Sequence, residues 1–446
     1  MNKDRQVDSG LDRLPVELMD GLTKPFTWFL RIEALGGGIL LLFTVAALAL
    51  SNSPWADPFL SAWELPVGIR GGSLEFVRSS REWINDGLMT LFFFVVALEL
   101  KRELVLGELR NPRMAAFSIA AALGGMLVPA ALYLTLQLGR EGAHGWGTVM
   151  ATDTAFVIGC LALLGRRMPQ SLRVFMLSLA IVDDIGAILV VAIGYSSQLA
   201  WGALALGALG IASVRAMALL GVRSIPLYFL VRAVIWLAVD ASGIHATITG
   251  VVLGLLTPTG RWVSDDRLQA IRDREVADPS GDRRGDRAEG RRAWRRSKVA
   301  IRETLSPVER LEMMLHPWVS FAIMPLFAFA NAGMALSSAD GGNPVTFAVF
   351  VGFTIGKPVG IVTFGWLAVR SGLVSRPPDM SWGMLAGGGL LAGIGFTMAL
   401  FIADLAFDDA LINAAKLGIL SASVASAAAG LAVLAWSTRD KSVSLG

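Results

Sequence analysis

The charges of this 446-residue chain are crowded into two stretches, and that segregation limits the possible folds more than any other feature. Of 39 Lys and Arg and 36 Asp and Glu, eleven fall in residues 1–33 and 25 in residues 260–312. The remaining sequence is a series of apolar runs, many close to the roughly 20 residues that cross a bilayer. An ordinary soluble domain is about 25% charged; here the charged share is 17% and the hydrophobic share 54%. A water-soluble enzyme does not fit, and the composition predicts an all-α polytopic membrane protein.

Spans are expected near 34–51, 87–100, 114–138, 148–165, 174–195, 199–220, 225–240, 243–257, 314–335, 345–369, 382–406 and 411–436. Alternate connections differ in charge. One set carries Lys101, Arg102, Arg110, Arg113, Arg166, Arg167, Arg173, Arg215, Arg223, Arg370, Arg376, Arg439 and Lys441, and the other only Arg70, Arg78, Arg81 and Arg140. Because Lys and Arg are held on the cytoplasmic side, both termini are expected inside. The expected organisation is then an N-terminal cytoplasmic segment 1–29, eight spans over 30–257, a polar cytoplasmic loop 258–312, four spans over 313–437 and a tail 438–446. The first 30 residues are too polar for a cleaved signal peptide. The basic residues flank apolar runs instead of forming a compact patch, so nucleic acid is not an expected partner; the bilayer is. One cysteine, Cys160, rules out an intrachain disulfide.

Two segments do not read as spans. Within 52–83, two β-prone runs flank Gly71-Gly72 and predict an external hairpin, whose edge can pair with a second copy or serve only as a structured loop. Residues 260–312 mix 14 basic and 11 acidic residues without apolar periodicity, as a solvated linker does.

Asp153, Asp183, Asp184, Arg232 and Lys357 lie deep within predicted spans. A charge at a helix centre costs about 2.5–3.5 kcal/mol on insertion scales, so each needs a polar cavity or a partner. Asp183 and Asp184 project about 100° apart on a helix, so one can face a cavity while the other faces a neighbouring helix. Two such carboxylates titrate as a unit. Their oxygens suit a hard cation, and protonation removes the charge that binds it. Thr152-Asp153-Thr154 sits among Gly145, Gly147 and Gly159, a composition for a locally unwound helix lining a cavity, although the hydroxyls can also bond back to their own helix. Gly393, Gly395 and Thr397 mark a second such interruption in the eleventh span. Lys357 is the evident countercharge, and Pro358 after it is expected to bend its span. Glu99, Glu103, His245, Glu312 and His316 stand near span ends, where carboxylates and imidazoles can respond to pH or be ordinary interfacial groups. Arg232 can snorkel on its long stem and takes no assigned role.

Nine runs carry a resemblance: Trp83-Ile-Asn-Asp-Gly-Leu-Met89, Leu98-Glu-Leu-Lys-Arg-Glu103, Ala151-Thr-Asp-Thr-Ala155, Val182-Asp-Asp-Ile-Gly186, Ser242-Gly-Ile-His-Ala-Thr247, Leu315-His-Pro-Trp318, Pro325-Leu-Phe-Ala-Phe-Ala-Asn-Ala-Gly333, Gly356-Lys-Pro-Val-Gly360 and Gly393-Ile-Gly-Phe-Thr-Met398. In this order, over about residues 30–437, the chain resembles the NhaA-type sodium/proton antiporter family. That family is itself a standard example of inverted repeats with broken helices at the midplane, so the interrupted-helix reading and the resemblance are not independent.

The resemblance implies about twelve transmembrane helices with inverted-topology repeats and two interrupted helices crossing at the midplane, in a bacterial inner membrane. It implies electrogenic exchange of cytoplasmic Na⁺ or Li⁺ for external H⁺ by alternating access, serving sodium and pH homeostasis, with no cofactor. Asp184 becomes the main cation ligand and proton carrier, with Asp183 beside it and paired with Lys357 when no cation is bound. Thr152 and Asp153 line the crossing, and Glu99, Glu103, His245 and Glu312 belong to the pH response. A homodimer through the external hairpin is also implied. Two other classes fit less well: a proton-coupled organic-anion carrier needs deep Arg or Lys, of which Lys357 is the only candidate, and a channel builds its filter from repeated subunits or carbonyl rings.

Overall fold

A computed structural model describes residues 25–443, apart from 72–73, 106, 108–111, 166–167, 196–199, 221–224, 244, 260–305, 336 and 373. The first 24 residues and most of the polar linker, 260–305, therefore lie outside the described residues; the linker's expected end at 312 is too late, because Ser306 caps a helix that starts at Pro307 and buries Val308, Leu311 and Glu312. What is described is mostly helical: α1 (Pro25–Ser51), α2 (Ala56–Trp63), α3 (Ser80–Val105), α4 (Pro112–Leu136), a 3₁₀ helix (Glu141–Met150), α5 (Thr154–Leu164), α6 (Gln170–Gly194), α7 (Trp201–Leu219), α8 (Ile225–Asp240), α9 (Thr247–Leu256), α10 (Pro307–Asn331), α11 (Pro344–Arg370), α12 (Trp382–Ala392), α13 (Phe396–Ala406) and α14 (Asp409–Val443). Among the described residues six helices are long and apolar enough to cross a membrane, or up to nine if each bent pair is one span. Large apolar side chains such as Leu189, Ile193, Leu209 and Val424 point outward, a surface that water does not favour and lipid does.

The expected hairpin is present, with β1 (Pro66–Gly71) antiparallel to β2 (Leu74–Ser79). It is preceded by α2, which folds back at 119° from α1 and which the sequence did not suggest. Because α3 begins directly after β2, it has a hairpin end and an opposite end at Arg102. Small residues bring helices into backbone contact, as lipid-embedded packing requires: a Cβ on Gly124 of α4 would lie 2.2 Å from the Gly360 carbonyl oxygen of α11. Pro358 does not break its helix. Its missing N–H and its ring are absorbed by a π turn at Gly352–Gly356, which contains Thr354, the residue four before it. Pro325 stands in the same relation to the π turn Val319–Ile323 in α10.

Candidate functional site

Two chain breaks build the site. The 3₁₀ helix and α5 are separated by Ala151-Thr152-Asp153 and bend by 46°; α12 and α13 are separated by Gly393-Ile394-Gly395 and bend by 47°. The breaks meet and are stitched together where the Asp153 amide donates to the Ile394 carbonyl at 2.7 Å. Glycine is needed here for space: a Cβ on Gly395 would lie 2.3 Å from the Phe353 ring, and one on Gly393 would lie 2.6 Å from the Phe353 carbonyl oxygen.

Half-helix ends meeting in a buried crossing leave unsatisfied N–H and C=O groups with partial charges. Asp153, 1% exposed, caps both N-termini: one oxygen accepts from the Phe156 amide of α5, and the other from the amide and hydroxyl of Thr397 in α13. Lys357, fully buried, donates to the Met150 carbonyl at the C-terminal end of the 3₁₀ helix. The Thr152 hydroxyl lies 3.0 Å from the Ala392 carbonyl at the end of α12. A carboxylate thus faces the positive ends and an ammonium a negative one.

α6 passes beside the crossing with Asp183 and Asp184, and their angular offset sends them to different neighbours. Asp183 Oδ2 accepts from Thr152 Oγ1 at 2.6 Å and lies 3.2 Å from Lys357 Nζ, while its Oδ1 has no partner among the described residues. Asp184 faces a cavity of about 60 Å³ lined also by Asp153, Thr154, Glu99, His316 and Met398. That volume holds a few waters, at about 10–15 Å³ each. No hydrogen bond or ion pair to the Asp184 carboxylate is found among the described residues. One acid of the pair is therefore balanced and the other is presented to a polar space.

The cavity extends toward the Arg102 end. There Glu99 lines its wall with His316, and Arg102 pairs with Glu312 and with Glu103 at 3.2 Å. Of the four residues grouped for a pH response, Glu99, Glu103 and Glu312 thus meet, and His245 does not. His245 lies at the hairpin end, 3.6 Å from Asp86, against the Phe401 ring. Arg232 lies over the Phe94 ring and donates to the Thr257 hydroxyl. Sequence reasoning missed a second polar group at the hairpin end, where Asn85, Asn331 and Asp404 are joined by side-chain hydrogen bonds. Its one available signal was Asp404 itself, a charged residue in the same apolar run as Thr397 and seven positions beyond it.

A family profile described as Na+/H+ antiporter 1 matches residues 27–434. Similar proteins include Na(+)/H(+) antiporter NhaA 1 of Acidiphilium cryptum, 63% identical over 94% of both chains. Na(+)/H(+) antiporter NhaA of Rhizobium meliloti is 61% identical over 96% of this chain and 98% of its own. Na(+)/H(+) antiporter NhaA 2 of Vibrio vulnificus is 56% identical over 97% of both. All three are named as transporters and none as an enzyme.

Proposed function

Because the chain belongs to the Na+/H+ antiporter 1 family, we propose that it exchanges cytoplasmic Na⁺ or Li⁺ for external H⁺ electrogenically, by alternating access at Asp184 and Asp183. The observation that carries the reading is the asymmetry of the pair: Asp184 stands in the cavity while Asp183 is held 3.2 Å from a fully buried Lys357. With the cavity open inward, deprotonated Asp184 takes the cation, and the unpartnered Asp183 oxygen is the natural second ligand. Drawing Asp183 toward the ion weakens its hold on Lys357, and a buried ammonium without its partner gives up its proton. Two proton carriers then answer one monovalent ion, which makes the cycle electrogenic. Opened outward, the site takes external protons, which displace the cation. Asp153 offsets the two half-helix N-termini in both states, while Lys357 offsets the end of the 3₁₀ helix only when no cation is bound.

The basic connections at the Arg102 end support a cytoplasmic position for that end and an external one for the hairpin. Twelve spans in an inverted repeat, both termini inside, a bacterial inner membrane and a dimer made through the hairpin edge complete the proposal. The test uses inside-out vesicles carrying a proton gradient, to which NaCl, LiCl or KCl is added. Na⁺ and Li⁺ dissipate the gradient and K⁺ does not. In the Asp184→Asn variant the response disappears although the folded protein remains in the membrane; a retained Na⁺ response removes Asp184 from its role.

A further inference from the structure

Along α13 the spacing 397, 401, 404 is i, i+4, i+7, a single stripe of a helix, and it carries three different chemistries. Thr397 holds Asp153 at the crossing. Phe401, 1% exposed, is ringed by Phe93 at 5.4 Å, His245 at 5.5 Å and Phe327 at 6.3 Å between centroids. Asp404 accepts from Asn85 at 2.7 Å, and Asn85 and Asn331 exchange side-chain hydrogen bonds at 2.7 and 3.3 Å. Asp86, paired with Arg78, and the buried Lys416 are the electrostatic neighbours of Asp404. The Asp184 cavity reaches Met398 on the near side of Phe401. A layer of aromatic rings about one helical turn thick, roughly 5.4 Å, therefore lies between the Asp184 cavity and the hydrogen-bonded Asn85, Asn331 and Asp404, and a constriction of this kind blocks ions by excluding water. Asn85, Asn331 and Asp404, drawn from α3, α10 and α13, meet one another by hydrogen bonds, with the two asparagines buried and Asp404 half-buried. Carboxylate and amide oxygens are the ligands that an alkali cation shedding its hydration accepts.

We propose that Asp404, with Asn85 and Asn331, forms a second cation and proton station on the hairpin side, and that Phe401 with Phe93 and Phe327 is the gate between it and Asp184. The inference rests on the reading of Asp184 as the exchange site and adds the route by which that site meets the hairpin side. Its test reads access instead of transport. In a Cys160→Ser background, single cysteines replace Met398 or Asp404 in sealed vesicles of both orientations, and a membrane-impermeant maleimide is applied. Asp404→Cys is expected to react from the hairpin face. Met398→Cys is expected to react from the Arg102 face alone, and to gain reaction from the hairpin face when combined with Phe401→Ala. Phe93→Ala opens the same layer from α3 and serves if Phe401→Ala does not accumulate. Met398→Cys that stays closed to the hairpin face in both ring variants overturns the gate, and Asp404→Cys closed to that face overturns the station. Absence of Na⁺-driven exchange in unmodified vesicles sinks the antiport reading instead and leaves this labelling pattern standing.

Discussion

Asp183 and Asp184 are neighbours in sequence and differ in everything that decides their chemistry. Asp183 is 1% exposed and has a countercharge and a hydroxyl donor, while Asp184 has a cavity. Lys357→Ala leaves the Asp183 carboxylate buried without its cation, and breaking such a pair costs about 3–5 kcal/mol. A lower thermal midpoint in detergent and weakened exchange are expected, and a variant as stable as the native chain disproves the pairing. Thr397→Val removes one of the donors to Asp153 and keeps the backbone amide, so a smaller loss of about 1–3 kcal/mol is expected by the same melting measurement. The deep charges were legible in the sequence because an apolar span makes any ionisable residue conspicuous. Asp404 and Lys416 escaped because they lie toward the ends of apolar runs, where a charge is ordinary until neighbouring helices are seen to bury Lys416 and to bring Asn85 to Asp404.

The crossed half-helices depend on glycine at the second break and on capping by groups from other segments. Gly395→Ala places a methyl group against the buried Phe353 ring, and overpacking of this kind costs about 1–3 kcal/mol. Lower yield of folded protein is the expected result; a variant melting with the native chain contradicts the close approach. Both interruptions were legible, since Gly and Thr, with Asp153 beside them at the first, are poor continuations of an apolar helix. The π turns were not. Pro358 predicted a bend, and the chain accommodated it by widening the preceding turn, a choice settled by packing of α11 on α4 and not by local propensity. The backward fold of α2 was equally hidden, because its eight residues make little more than two helical turns, too short a stretch to fix its direction.

Across the bundle, the polar groups divide between two ends. Glu99, Glu103, Glu312 and His316 gather at the Arg102 end, and His245, Asp86, Asp240 and Arg78 at the hairpin end. No sequence pattern distinguishes these groups, because the separation arises from helix direction; only the charge bias of the loops suggested which end is which. If the hairpin edge joins two copies by strand pairing, replacing residues 66–79 with a short Gly-Ser linker yields the mass of one chain in light scattering, and a persistent dimer assigns the contact elsewhere. The competition between cation and proton is tested most directly by calorimetric titration of purified protein with NaCl, at one pH, in buffers of different ionisation enthalpy. Binding coupled to deprotonation hands protons to the buffer, so the observed enthalpy becomes more exothermic linearly with the buffer's ionisation enthalpy, and this dependence is lost in Asp184→Asn. The same Na⁺ heat in every buffer means that sodium binds without releasing protons, which contradicts exchange at a shared carboxylate pair.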